Sequence, residues 1–173
     1  MTALTGIAPS ARNLSSSNMK PKQTGTKITS LLAGVTGEYF VAGELSRRGH
    51  IASISLRNTR GIDILATNAK ADRSVTIQCK TSQVSKSSWL LSDKCESFVS
   101  ESHYYVFVAL AGPLERARFH IVPSADVAAY VRKDHKTWIT TPGRNGRQHV
   151  DNPIRKFDDR AEKYLERWDL LGL

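Results

Sequence analysis

The sequence predicts an α/β fold, a mixed β-sheet with helices packed on it. Three observations carry this. Apolar residues recur at helical steps between 31 and 45, three short β-type runs follow between 51 and 81, and YYVFVALAG (104–112) is a nearly continuous apolar run. A run of that last kind belongs at the centre of a sheet, buried on both faces. The 173 residues are 40% hydrophobic and 24% charged, enough to close one core. No apolar stretch reaches the roughly 20 residues that span a bilayer as a helix, so membrane, collagen-like and fully disordered readings are set aside.

The elements follow in order. Residues 1–28 are rich in Ser, Thr and Asn, hold two prolines and show no apolar period; they are expected to be a disordered basic leader. The remaining residues, 29–173, form a single domain. Leu31, Val35, Glu38, Ala42 and Leu45 lie at steps of four and three and share a helical stripe. Arg47 and Arg48 fall in its last turn and Gly49 supplies its stop. Runs 51–56, 61–67 and 74–81, separated by turn chemistry, read as a three-stranded meander. A helix over 91–102, the apolar strand 104–112 and a strand over 116–122 come next. Ser124 is a plausible N-cap for a helix through Val127 and Val131. A loop over 140–153 leads to a closing helix over 158–168, a C-terminal helical extension with acids in its first turn.

Lysine and arginine number 25 against 16 acids, a formal charge of +9, which makes a polyanion the leading partner class. Arg12, Lys20, Lys22 and Lys27 lie in the first thirty residues, which hold no acid. Cys79 and Cys95 have no metal-ligand spacing, and His50, His103, His120, His135 and His149 show no zinc pattern with them. Together with the lack of a signal-peptide layout, this implies reduced thiols in a cytoplasm and no membrane partner.

Side-chain alternation marks the chemistry. In GIDILAT, Asp63, Leu65 and Thr67 share one face; in VTIQCKT, Thr76, Gln78 and Lys80 do. If the two strands pair, Asp63, Gln78 and Lys80 share a face. If the first helix packs its stripe there, Glu38 arrives at the same place. A carboxylate on an apolar helix stripe needs a cation or a donor to be tolerated. Glu44 lies off the stripe and reads as a solvated partner of Arg47 or Arg48.

A helix Glu, a strand Asp and a Gln-Xaa-Lys on the next strand resemble the PD-(D/E)XK nuclease superfamily, in its Gln-Xaa-Lys form. The order of elements is also similar. The resemblance implies a restriction-endonuclease-like αβββαβ core, a mixed central sheet flanked by helices, over about 30–122. It implies metal-dependent hydrolysis of DNA phosphodiester bonds by an endonuclease. Glu38, Asp63, Gln78 and the Cys79 carbonyl would bind Mg²⁺, or Mn²⁺, with Asp63, Gln78 and Lys80 as the catalytic set and Lys80 orienting water. Gln78 stands where a carboxylate is usual, and the neutral amide removes one charge from the ligand set, so metal affinity should fall. Ile62 stands where proline is common.

Around this set, Lys86 and Trp89 are expected to contact phosphate and to stack on a base, although Trp89 equally suits packing under the next element. Arg144 and Arg147 lie in a basic, Gly-containing loop suited to a phosphate backbone. Trp138, Trp168 and the Leu170, Leu171, Leu173 ending read as apolar anchors against the domain or a second copy. DNA is thus the expected partner, and cutting two strands would favour a homodimer. The alternatives are a nuclease fold that binds DNA without turnover, and a domain whose surface serves a protein partner.

Overall fold

The computed structural model describes residues 27–56, 61–84, 86–110, 112 and 115–173. The leader expected over 1–28 lies outside these, except Lys27 and Ile28. Ile28 is held by the Gln83 side chain, which accepts its N–H at 3.1 Å and donates to its C=O at 2.9 Å.

Helix α1 (Ser30–Arg47) is capped by Thr29, whose hydroxyl accepts the Leu32 N–H. It ends at Gly49, in the left-handed region at φ 86°, with the His50 N–H returning to the Leu45 carbonyl. Strands β1 (Ile51–Ile54), β2 (Ile64–Thr67) and β3 (Ser74–Ser82) form the expected antiparallel meander. Strand β5 (His103–Ala109) pairs parallel with β3, and β6 (Arg118–Pro123) pairs antiparallel with β5. The result is a five-stranded mixed sheet ordered β1-β2-β3-β5-β6. Helix α2 (Ser124–Thr140) follows β6 directly, and its Ser124 hydroxyl clamps the backbone of Ser100.

Two expected helices are absent. Between β3 and β5 stand a strand, β4 (Ser88–Ser92), and a short 3-10 turn over Asp93–Glu96, not a helix over 91–102. The sequence there alternates: Trp89 and Leu91 are buried while Leu90 points to solvent, a period of two that suits a strand. The closing helix over 158–168 is also corrected. Its start is the end of β7 (Ile154–Asp158), which pairs antiparallel with β4, and only Trp168–Leu171 close as a 3-10 turn. Positive φ at Glu162 and Glu166 interrupts any helix there. The parallel β3–β5 link therefore crosses over through β4, which stands outside the main sheet.

The sheet buries both faces. On one, Val41 and Leu45 of α1 pack with Ile64, Ile77, Cys79, Val106 and Phe119. Trp168 and Leu171 close this core, so the C-terminal anchors pack on the domain itself. On the other, Trp89, Leu91 and Phe157 of the β4–β7 ribbon join Tyr105, Phe107 and the α2 residues Val127 and Val131.

The buried stripe of α1 is Ala33, Gly37, Val41 and Leu45, rotated from the expected one, and Leu31 is exposed. Close approach explains the rotation: a Cβ at Gly37 would stand 2.0 Å from the Thr81 hydroxyl, so only the small-residue side fits against β3. Glu44 pairs as expected with Arg47 at 2.8 Å and with Arg48, but its side chain is largely buried rather than solvated.

Candidate active site

The site is built on β3. Thr76 donates its N–H to Ser102, and Ser82 accepts from Leu110, so the even-numbered backbone groups of β3 face β5. The odd-numbered ones face β2: the Ile77 carbonyl accepts the Asp63 N–H at 2.8 Å. The Cys79 N–H also points to this edge, where the Asp63 carboxylate accepts it at 2.7 Å. In an extended strand the N–H and C=O of one residue share an edge, so the Cys79 carbonyl faces Asp63's side as well.

Side chains follow the opposite bookkeeping. Val75, Ile77 and Cys79 enter the core under α1. Gln78 and Lys80 project from the other face, in register with Tyr105 and Phe107. The expectation that α1 packs on the face of Gln78 and Lys80 is therefore corrected: α1 covers the Cys79 face. Glu38 comes toward Cys79 from that side. Burial drives the Cys79 thiol well above its ordinary pKa, and the negative fields of Asp63 and then Glu38 push it further, with Lys80 opposing them. Two carboxylates and one ammonium thus bear on the residue between Gln78 and Lys80.

Gln78 meets the backbone of β2's approach. Gly61 lies in the left-handed region at φ 64°, and a Cβ there would stand 3.8 Å from the Gln78 amide nitrogen and 3.4 Å from the Phe98 ring. All four expected residues, Glu38, Asp63, Gln78 and Lys80, are partly buried, neither sealed in the core nor fully in solvent.

The donors are oxygens: the Asp63 and Glu38 carboxylates, the Gln78 amide and the Cys79 carbonyl. That chemistry fits a hard divalent cation such as Mg²⁺ or Mn²⁺. Among the described residues no three His, Cys, Asp or Glu side chains group as a metal cluster. The set offers two carboxylates, with Gln78 neutral.

Of the residues expected to touch nucleic acid, Lys86, Arg144 and Arg147 are exposed. Arg144 and Arg147 stand in the loop after α2, closed by the Gly143 N–H on the Arg147 carbonyl at 2.8 Å. Trp89 is corrected. It is 3% exposed, packs against Phe107 and His120, and donates its indole N–H to the Val108 carbonyl at 3.0 Å, so its ring is part of the core. An indole whose face and donor are both satisfied inside offers nothing to a base.

The sequence reading missed Phe98 and Gly61, which border Gln78. Gly61 is itself the first residue of GIDILAT and so was within reach of the sequence; Phe98 lay inside the helix expected over 91–102, which the structure replaces with β4 and a 3-10 turn.

No protein-family model matches the chain, and no curated protein matches it. Among solved structures the chain is similar to Hjc, a Holliday junction resolvase from the archaeal hyperthermophile Archaeoglobus fulgidus, at 17% identity and a TM-score of 0.48, over 80% of this chain and 95% of that one. It is also similar to a bacterial homing endonuclease, at 14% identity and a TM-score of 0.48, over 83% of this chain and 92% of that one. Among the described residues no helix is long and apolar enough to cross a membrane.

Proposed function

We propose that this protein is a metal-dependent nuclease that hydrolyses DNA phosphodiester bonds. One observation carries the reading: the Asp63 carboxylate is hydrogen-bonded to the backbone of Cys79, the middle residue of Gln78-Cys79-Lys80. This bond, made by one carboxylate oxygen, ties the strand acid to the Gln-Xaa-Lys strand. The net charge of +9 suits a phosphate polyanion.

In this reading Asp63, the Gln78 amide oxygen and the Cys79 carbonyl would hold the cation, with the Glu38 carboxylate adding its charge from the α1 side of β3. A bound Mg²⁺ supplies charge neutralisation at the phosphate and a more acidic water. Lys80 orients the attacking water and stabilises the negative charge that grows on the phosphoryl oxygens, on the face it shares with Gln78. Water oxygen bonds to phosphorus as the bridging P–O bond breaks. Lys86, Arg144 and Arg147 contact flanking phosphates, and a homodimer would place two such sites on two strands.

The neutral amide of Gln78 favours a second reading, a nuclease fold that binds DNA without turnover. A gel assay separates the two, with single-stranded, duplex and four-way-junction DNA in Mg²⁺, Mn²⁺ or EDTA, beside Asp63→Asn and Lys80→Ala. Metal-dependent products lost in both variants support the nuclease. Retarded, uncut DNA under every condition supports the binding protein.

A further inference from the structure

We propose that Phe98 is a base-stacking residue that selects DNA with an unpaired base beside the scissile phosphate; this rests on the nuclease reading for its location but not for its test. Phe98 is 40% exposed, although it stands at the end of a row of packed rings. Its ring and that of His103 meet edge to face, with centroids 4.5 Å apart at 68°, His103 meets Tyr105 at 5.3 Å, and Tyr105 stacks on Phe107, which stacks on Phe157. His103 is buried, so the row is anchored in the core and Phe98 is its solvent end. The main chain that carries the ring is also held, because the Phe98 N–H donates to the Lys94 carbonyl at 3.1 Å.

Phe98 stands beside the candidate site: a Cβ built on Gly61, the glycine two residues before Asp63, would lie 3.4 Å from the Phe98 ring and 3.8 Å from the Gln78 amide nitrogen, so both flank Gly61. An aromatic ring held rigidly at the edge of a polar, cation-attracting site offers a stacking surface at little entropic cost. In a continuous duplex both faces of each base are covered by neighbouring bases, so stacking on Phe98 requires a base freed from its stack. The substrate class this favours is single-stranded DNA, or DNA with unpaired bases at a flap, fork or junction.

The test measures binding in EDTA, so that cleavage plays no part. The full chain and its Phe98→Ala, Phe98→Leu and Phe98→Trp variants are titrated with a short fluorescent single strand and with a blunt duplex of the same sequence. Phe98→Ala should weaken single-strand binding by about 5- to 100-fold and leave duplex binding unchanged. Phe98→Leu, which fills the same space against His103 without a π face, should fail to restore it. Phe98→Trp should restore it, with indole fluorescence quenched by the single strand beyond the wild-type background. Equal losses on both DNAs, full binding by the Leu variant, or no single-strand binding by the wild type would overturn the proposal. Wild-type cleavage in Mg²⁺ is scored separately: intact stacking without cleavage refutes the nuclease reading and leaves Phe98 as a base-stacking residue of a DNA-binding protein.

Discussion

The Asp63 carboxylate accepts the backbone N–H of Cys79 at 2.7 Å, so the acid that precedes β2 is bonded to the strand carrying Gln78 and Lys80. This bond gives Asp63 two separable roles, and paired substitutions tell them apart. Asp63→Asn keeps an oxygen for the Cys79 N–H and removes the charge; it should fold like the wild type and lose metal-dependent cleavage. Asp63→Ala also strands the N–H, at a cost of about 1–3 kcal/mol, and should unfold earlier in urea. Equal cleavage by wild type and Asp63→Asn would remove Asp63 from the chemistry.

Gln78 limits the charge of the site, and restoring a carboxylate should strengthen cation binding. Gln78→Glu adds a negatively charged ligand, so calorimetric titration with Mn²⁺ should show tighter binding than in the wild type. Cleavage at limiting Mg²⁺ should rise with it. A variant that binds Mn²⁺ no better would place the Gln78 side chain outside the ligand set.

Much of the fold was legible because it depends on local pattern. The end of α1 at Gly49, the alternation through β2 and β3, and the apolar run of β5 are written in short stretches of sequence. The errors arose where the deciding contact is distant. Leu91 and the residues after it suit a helix until β7, some sixty residues on, offers β4 a partner, and Trp89 pairs with Phe157 there. The rotation of α1 follows from one approach, Gly37 against Thr81, which periodicity cannot reveal because glycine has no hydropathy to speak of. For the site, the sequence indicated that Gln78 and Lys80 share a face, and they do. It could not indicate which face α1 would cover.

Both cysteines should resist alkylation in the folded protein. Burial raises the Cys79 thiol, with Asp63 and Glu38 adding to it, and raises Cys95 to about 11, with Glu96 adding to it. At mildly alkaline pH both stay as thiols, which are poor nucleophiles. Iodoacetamide followed by mass spectrometry should find no adduct in native protein and two in denaturant. Rapid native labelling of Cys79 would show that β3 opens readily at the site.

Trp168 joins the C-terminal end to the core under α1. Its ring meets Phe119 at 5.4 Å, carries the Arg48 guanidinium at 4.4 Å from its centre, and donates its N–H to Glu166 at 2.9 Å. Trp168→Ala should cost about 3–5 kcal/mol, the range for emptying a buried aromatic site, seen as a lower urea midpoint. A loss below about 1 kcal/mol would mean that this end adds little to the domain.

His103 makes stability depend on pH in a defined window. Burial holds its pKa down at about 4, against 6.5 in an unfolded chain, and Thr76 bonds its Nδ1 at 2.9 Å. Above pH 6.5 the imidazole is neutral in both states and stability is full. As pH falls from 6.5 toward 4, the unfolded chain takes up a proton that the folded chain refuses, so stability drops. The slope approaches 1.4 kcal/mol per pH unit, roughly 3 kcal/mol in all, and no further loss from this group follows below both values. Other groups titrate in the same range, so the measurement is a difference. His103→Gln removes the titration, and its unfolding free energy is compared with the wild type's at several pH values across the window. The wild type's advantage at neutral pH should shrink by about 3 kcal/mol toward pH 4; a constant difference would mean that the buried imidazole ionises as readily in the fold as out of it.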